Sequence, residues 1–162
     1  MTKIGIFMGS LSDKEKVAPA AQVLKQLEIP YVMTVTSAHR TPERTRTLVQ
    51  ELEANGCQVF ICAAGMAAHL AGTVAAQTTK PVIGIPIAAS ALGGMDALLS
   101  TVQMPPGFPV GTMALDEAGA TNAAWLAAQI LALQDTSLQN RIQEQRAVMR
   151  QKVEDSAKEI EQ

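Results

Sequence analysis

Aromatic side chains are nearly missing from this chain: three phenylalanines, one tryptophan and one tyrosine make up 3% of its 162 residues. A core without them must be filled by small and aliphatic groups, which suits close helix–sheet and helix–helix approach. The interleaved aromatic and basic residues of nucleic-acid binders are absent, and a net charge of −2 leaves no basic excess, so no nucleic-acid partner is expected. Apolar runs are short, and none approaches the roughly 20 residues of a membrane span. The N-terminal MTKIGIFMGS carries one lysine and a six-residue apolar stretch, too little for a signal peptide, and reads as a first strand. Cysteine is limited to Cys57 and Cys62, five apart on one expected strand. Their side chains should point to opposite faces, which opposes pairing, and no other residues offer metal-ligand spacing. Two reduced thiols in a cytoplasmic protein are the expectation.

What is present is a regular alternation. With 48% hydrophobic and 17% charged residues, the chain is globular, and its length fits one domain that buries about 70% of its unfolded surface. Continuous apolar runs at 3–8, 31–36, 58–63, 82–86 and 110–115 read as strands covered on both faces. Between them lie helical patterns at 14–29, at 42 to about 55 and at 67–78, with two more at about 119–133 and 137–160. Pro19 should fall in the first turn of the first helix or else kink it. Thr41-Pro42 reads as a hydroxyl cap followed by a first-position proline, and Asn55-Gly56 as a C-cap. The predicted fold class is α/β: a flavodoxin-like three-layer sandwich with five parallel strands in the order 2-1-3-4-5. Residues 1–133 form the α/β core and 134–162 a C-terminal helix of the same domain. The irregular stretch 87–109 is expected as a functional loop or a short helix flanked by loops. Leu138, Ile142, Met149, Val153 and Ile160 line one face of the last helix, a stripe that docks on the chain's own surface or on another copy.

In such a sheet, ligands bind beyond the carboxyl ends of the strands. That rim collects Gly9-Ser10-Leu11-Ser12-Asp13, Ser37-Ala38-His39-Arg40 and Ala64-Gly65-Met66-Ala67-Ala68-His69, including both histidines of the chain. Ser12-Asp13-Lys14-Glu15 fits a capping box, so Ser12 has a purely structural reading too. The loop lacks the G-x-x-x-x-G-K-[ST] and G-x-G-x-x-G fingerprints, although a helix N-terminus still attracts phosphate. His39 beside Arg40 suits proton transfer next to a bidentate phosphate grip. His69 fits a structural hydrogen bond or a site role equally well. No Ser-His-Asp or Cys-His arrangement favours nucleophilic catalysis.

Taken together, G-S-x-S-D, S-A-H-R-T-P, A-A-H-L, A-L-x-G-x-D and Q-M-P-x-G-x-P-V resemble the class I N5-carboxyaminoimidazole ribonucleotide mutases, from about Lys3 to Leu133. The resemblance implies an isomerase of purine (IMP) biosynthesis that moves a carboxyl from an exocyclic nitrogen to ring carbon four, by loss and recapture of carbon dioxide. It implies no metal, biotin or ATP, and a homo-octamer with active sites between subunits, in which the C-terminal helix takes part. It leaves open an ATP-dependent synthetase that supplies the substrate. By the same resemblance, Ser12 and the helix N-terminus hold the 5′-phosphate with Arg40, and Asp13 accepts hydrogen bonds from the ribose. Ser10 and Ser37 lie near the base, and His39 is the proton-transfer residue. Ala38, Ala64, Gly65, His69 and Leu70 complete the substrate site.

Three positions depart from the usual G-A-G-G-A-A-H-L-P-G of that family: Ala63, Met66 and Ala71 stand for two glycines and a proline. Met66 falls where a glycine would let backbone approach the substrate. Two further readings follow. One is an enzyme of this fold that carboxylates aminoimidazole ribonucleotide directly from carbon dioxide, against which Arg40 speaks, since lysine usually stands there. The other is a nucleotide-binding module that lost turnover through Met66.

Overall fold

The computed structural model describes residues 1–161, leaving Gln162 outside the described residues. Five parallel strands, β1 (Ile4–Met8), β2 (Tyr31–Val35), β3 (Val59–Gly65), β4 (Val82–Ile87) and β5 (Gly111–Thr112), pair in the order β2-β1-β3-β4-β5. This is the flavodoxin-like order that the alternating pattern predicts. Side chains alternate across the pleat. Ile4, Ile6, Met8, Ile61, Ile83, Ile85 and Ile87 face α1 (Lys14–Gln26) and α5 (Asp116–Ala132). Phe7, Phe60, Cys62 and Val82 face α2 (Pro42–Ala54) and α3 (Leu70–Ala75). Small residues bring the helices close, as Ala20 of α1 and Ala120, Ala123, Ala124 and Ala127 of α5 are wholly buried in one cluster.

Local chemistry sets the element ends. Helix α2 closes as expected at Asn55, with Gly56 at φ +90. The Cys57 N–H donates to the Leu52 carbonyl and the Gly56 N–H to that of Glu53, both at 2.9 Å, the paired bonds of a Schellman cap. Helix α1 ends with the same two bonds at Gln26, short of residue 29, because Glu28 adopts φ +54. It begins at Lys14, so Pro19 lies in its interior and not in its first turn.

Other expectations are corrected. Cys57 precedes β3, so strand alternation does not apply to it, and both cysteines are buried in the same cluster beneath α2 and α3. Burial raises the pKa of both thiols. Helix α3 spans only Leu70–Ala75, since Met66 at φ +56 directs residues 67–69 into a loop first. Edge strand β5 has just two residues, hemmed in by Pro105, Gly107 and Pro109 before it and by α5 after it. Within 87–109 a short helix forms, α4 (Met95–Val102), as one of the two alternatives predicts.

The apolar stripe of α6 (Thr136–Ile160) divides in two. Leu138 and Ile142 are buried against the core, while Met149, Val153 and Ile160 are exposed by 47%, 71% and 86%. Among the described residues, no helix is long and apolar enough to cross a membrane.

Candidate active site

Beyond the carboxyl ends of β1, β2 and β3, at the point where the strand order reverses, three loops surround a cleft of about 660 Å³. All eleven residues singled out in the sequence line it: Ser10, Ser12, Asp13, Ser37, Ala38, His39, Arg40, Ala64, Gly65, His69 and Leu70. A larger depression of about 900 Å³ lies at the opposite, amino ends of β4 and β5, between residues 77–82 and 107–111. It holds neither histidine and no arginine, whereas both histidines and Arg40 line the smaller cleft.

The first loop is built differently from a capping box. A 3₁₀ turn, Leu11–Asp13, precedes α1, and Ser10 caps it by accepting from the Ser12 N–H at 3.3 Å. Ser12 therefore caps nothing. Its hydroxyl donates to Ser10 Oγ at 2.9 Å and approaches Asp13 Oδ1 at 3.3 Å. Asp13 is the buried member, and burial raises its pKa, opposed by hydrogen bonds from Ser12 and Ser10 and by the charge of Lys16.

The second loop hangs on hydroxyls. Thr36 and Thr45, both buried, are bonded at 2.8 Å. The Ser37 N–H donates to Thr41 Oγ1 at 2.9 Å, so the Thr41 hydroxyl points back into the loop and does not cap α2, although Pro42 opens that helix as expected. This pinning presents Ser37, His39 and Arg40 together. Arg40 Nη2 donates to the Gly9 carbonyl at 2.9 Å, and its Nε reaches Ser37 Oγ at 3.5 Å, joining the first two loops. Among the described residues no carboxylate lies within ion-pair distance of Arg40. A guanidinium without an acid partner, beside serine hydroxyls, is suited to an anion.

The third loop brings the second histidine to the first. His39 Nε2 and His69 Nδ1 are 2.7 Å apart, with ring centroids at 4.8 Å and planes at 80°. One nitrogen must donate and the other accept, so each ring fixes the tautomer of the other. Gly65 is a necessity of this wall, because a Cβ there would lie 2.8 Å from that of Ala89 and 3.0 Å from the Ile87 carbonyl. Met66 keeps the left-handed backbone that suits glycine, and its side chain is 60% exposed at the cleft's edge. Sequence reasoning missed the Thr36–Thr45 bond and the contact of the two histidines. The only available signal was their common rim position.

The AIR carboxylase family model matches residues 3–152. The chain belongs to that family. The N5-carboxyaminoimidazole ribonucleotide mutase of Escherichia coli (strain K12) is 49% identical over 144 residues, covering 89% of this chain and 85% of that protein. The mutase of Bacillus subtilis (strain 168) is 46% identical over 157 residues, 97% of each chain. The crystal structure of Treponema denticola PurE superimposes at a TM-score of 0.89 over all of both chains, at 27% identity. Family membership thus agrees with the motifs at the strand ends: the structure gathers G-S-x-S-D, S-A-H-R-T-P and A-A-H-L around one cleft, while A-L-x-G-x-D and Q-M-P-x-G-x-P-V fall outside its lining.

Proposed function

We propose that this chain is an N5-carboxyaminoimidazole ribonucleotide mutase, an isomerase of purine biosynthesis. The observation that carries this reading is the hydrogen-bonded His39–His69 pair facing the same cleft as an acid-free Arg40, in a chain whose relatives bear that name.

The cleft divides the substrate by chemistry. Arg40, with Ser12 and the N–H groups of the turn before α1, takes the 5′-phosphate. Asp13 accepts hydrogen bonds from the ribose hydroxyls. Ser10 and Ser37 lie nearer the base, while Ala38, Ala64, Gly65 and Leu70 supply close walls for the flat ring.

His39 is the catalytic group. As the N–C bond of the carbamate breaks, carbon dioxide leaves and His39 protonates the nitrogen that keeps the electron pair. Ring carbon four then attacks the carbon dioxide, and His39 takes the proton from that carbon to restore aromaticity. One proton is given and one returned, so the reaction is redox-neutral and consumes no co-reactant. His69 holds the His39 ring in place for both transfers. The cleft keeps carbon dioxide against the ring, since escape would end the cycle at uncarboxylated ribonucleotide.

The same reading makes the protein a cytoplasmic homo-octamer with sites between subunits, fed by an ATP-dependent synthetase. Incubating purified protein with either carboxylated isomer and following absorbance tests the activity. Interconversion of the two is expected, and its absence in a folded sample overturns the reading.

A further inference from the structure

We propose that Lys16 and Asp116, which lie outside the cleft lining, are positioning residues whose ion pair clamps the segment after β4 as a wall of the carboxyl-transfer site. The inference rests on the mutase reading and adds two residues that the motif pattern does not contain.

Lys16 stands in the first turn of α1 and Asp116 opens α5. Their side chains meet at 3.1 Å, each about two-thirds shielded from solvent. Between them they hold both main-chain groups of one residue. Lys16 Nζ donates to the Ala88 carbonyl at 2.8 Å, and Asp116 Oδ1 accepts the Ala88 N–H at 2.9 Å. The sheet does not supply these partners. Pairing of β4 with β3 stops at Gly65↔Ile87, and β5 is matched only to Ile83 and Gly84. A backbone leaving the sheet there needs other partners, and the ion pair provides them.

The next residue is the wall itself. Ala89 lines the cleft and sits so near Gly65 that no Cβ fits between them. The clamp therefore sets the spacing between the β3 and β4 sides of the cleft, on the wall that carries Gly65 and His69. Asp116 also adopts φ +54, a costly conformation for a residue with a side chain. Simple helix entry does not require a carboxylate there, and the grip on Ala88 gives it a purpose. A looser wall would give carbon dioxide room to leave before ring carbon four captures it.

The test uses the purified full chain with the variants Lys16→Met, Asp116→Gly and Lys16→Arg. Asp116→Gly removes the carboxylate while relieving the backbone, so its effect is not one of a strained fold. The assay is repeated over about pH 7–9, so that any change in Asp13 ionisation caused by the lost charge at Lys16 or Asp116 would show as a pH-dependent effect. Lys16→Met and Asp116→Gly should raise the share of substrate released as uncarboxylated ribonucleotide about threefold or more and lower kcat about tenfold, with KM within about twofold. Lys16→Arg should restore both values, since it keeps charge and donors. Amide hydrogen exchange at residues 88–90 should accelerate in the first two variants only. Wild-type partition and exchange in folded Lys16→Met and Asp116→Gly would overturn the clamp. A wild-type protein that interconverts nothing would instead overturn the mutase reading, and exchange would still decide whether the pair holds the segment.

Discussion

His39 Nε2 and His69 Nδ1, 2.7 Å apart, form one hydrogen bond that needs one donor and one acceptor. The pair therefore fixes the orientation of the His39 ring at the cleft, which proton transfer to and from a bound substrate asks. Replacing His39 by Asn, which keeps a polar group of similar reach, should preserve the melting temperature and reduce turnover at least about a hundredfold. Single-turnover kinetics on the folded variant checks this, and a wild-type rate would remove His39 from the mechanism. Asp13 makes the opposite trade. Its folded pKa is raised by burial, so ionisation costs stability: the contribution present below the unfolded pKa is lost as pH rises through the folded one. The ionised carboxylate thus serves a ligand and not the fold. Asp13→Asn should melt no lower than wild type near pH 7.5 yet bind substrate more weakly, as calorimetry and titration would record. A lower melting point with unchanged affinity would contradict that assignment.

Elements show how far the sequence could be read. Strand order, the Asn55-Gly56 cap and the gathering of motifs on one rim follow from periodicity and turn chemistry, which act locally. The misreadings come where two local rules compete. Ser12 matches a capping box, but a 3₁₀ turn inserted before α1 hands the cap to Ser10. Thr41 reads as a cap, but its hydroxyl accepts the Ser37 N–H. Helix α3 loses its first turn to the loop begun by Met66, and the contact of His39 with His69 is a tertiary fact that no spacing encodes. The position of Met66 is instructive in energy terms. A non-glycine residue at φ +56 costs about 1 kcal/mol, and a side chain 60% exposed recovers little by burial. Met66→Gly should therefore melt at or slightly above wild type, even allowing for the greater freedom of glycine when unfolded. A fall of more than about 4 °C would show that the methionine is packed in a way the single chain does not reveal.

At the scale of the molecule, the unpartnered apolar faces matter. Leu92, Met95, Leu99 and Val102 on and just before α4, and Met149 and Val153 on α6, are each about half exposed or more. A lone subunit would present these faces to water, whereas an assembly would cover them. Light scattering at micromolar concentration should give a mass near eight times the 17.1 kDa of one chain. An active monomer would contradict a site shared between subunits. The central claim is narrower than assembly: the carboxyl that leaves the nitrogen is the one that arrives at ring carbon four. Running the reaction from the N-carboxylated isomer in buffer containing carbon-13 bicarbonate, and weighing the product by mass spectrometry, tests it most directly. The account predicts product whose carboxyl carries the substrate's unlabelled carbon. Product labelled to the level of the buffer would mean that carbon dioxide enters from solution, and the chain would be a carboxylase and not a mutase.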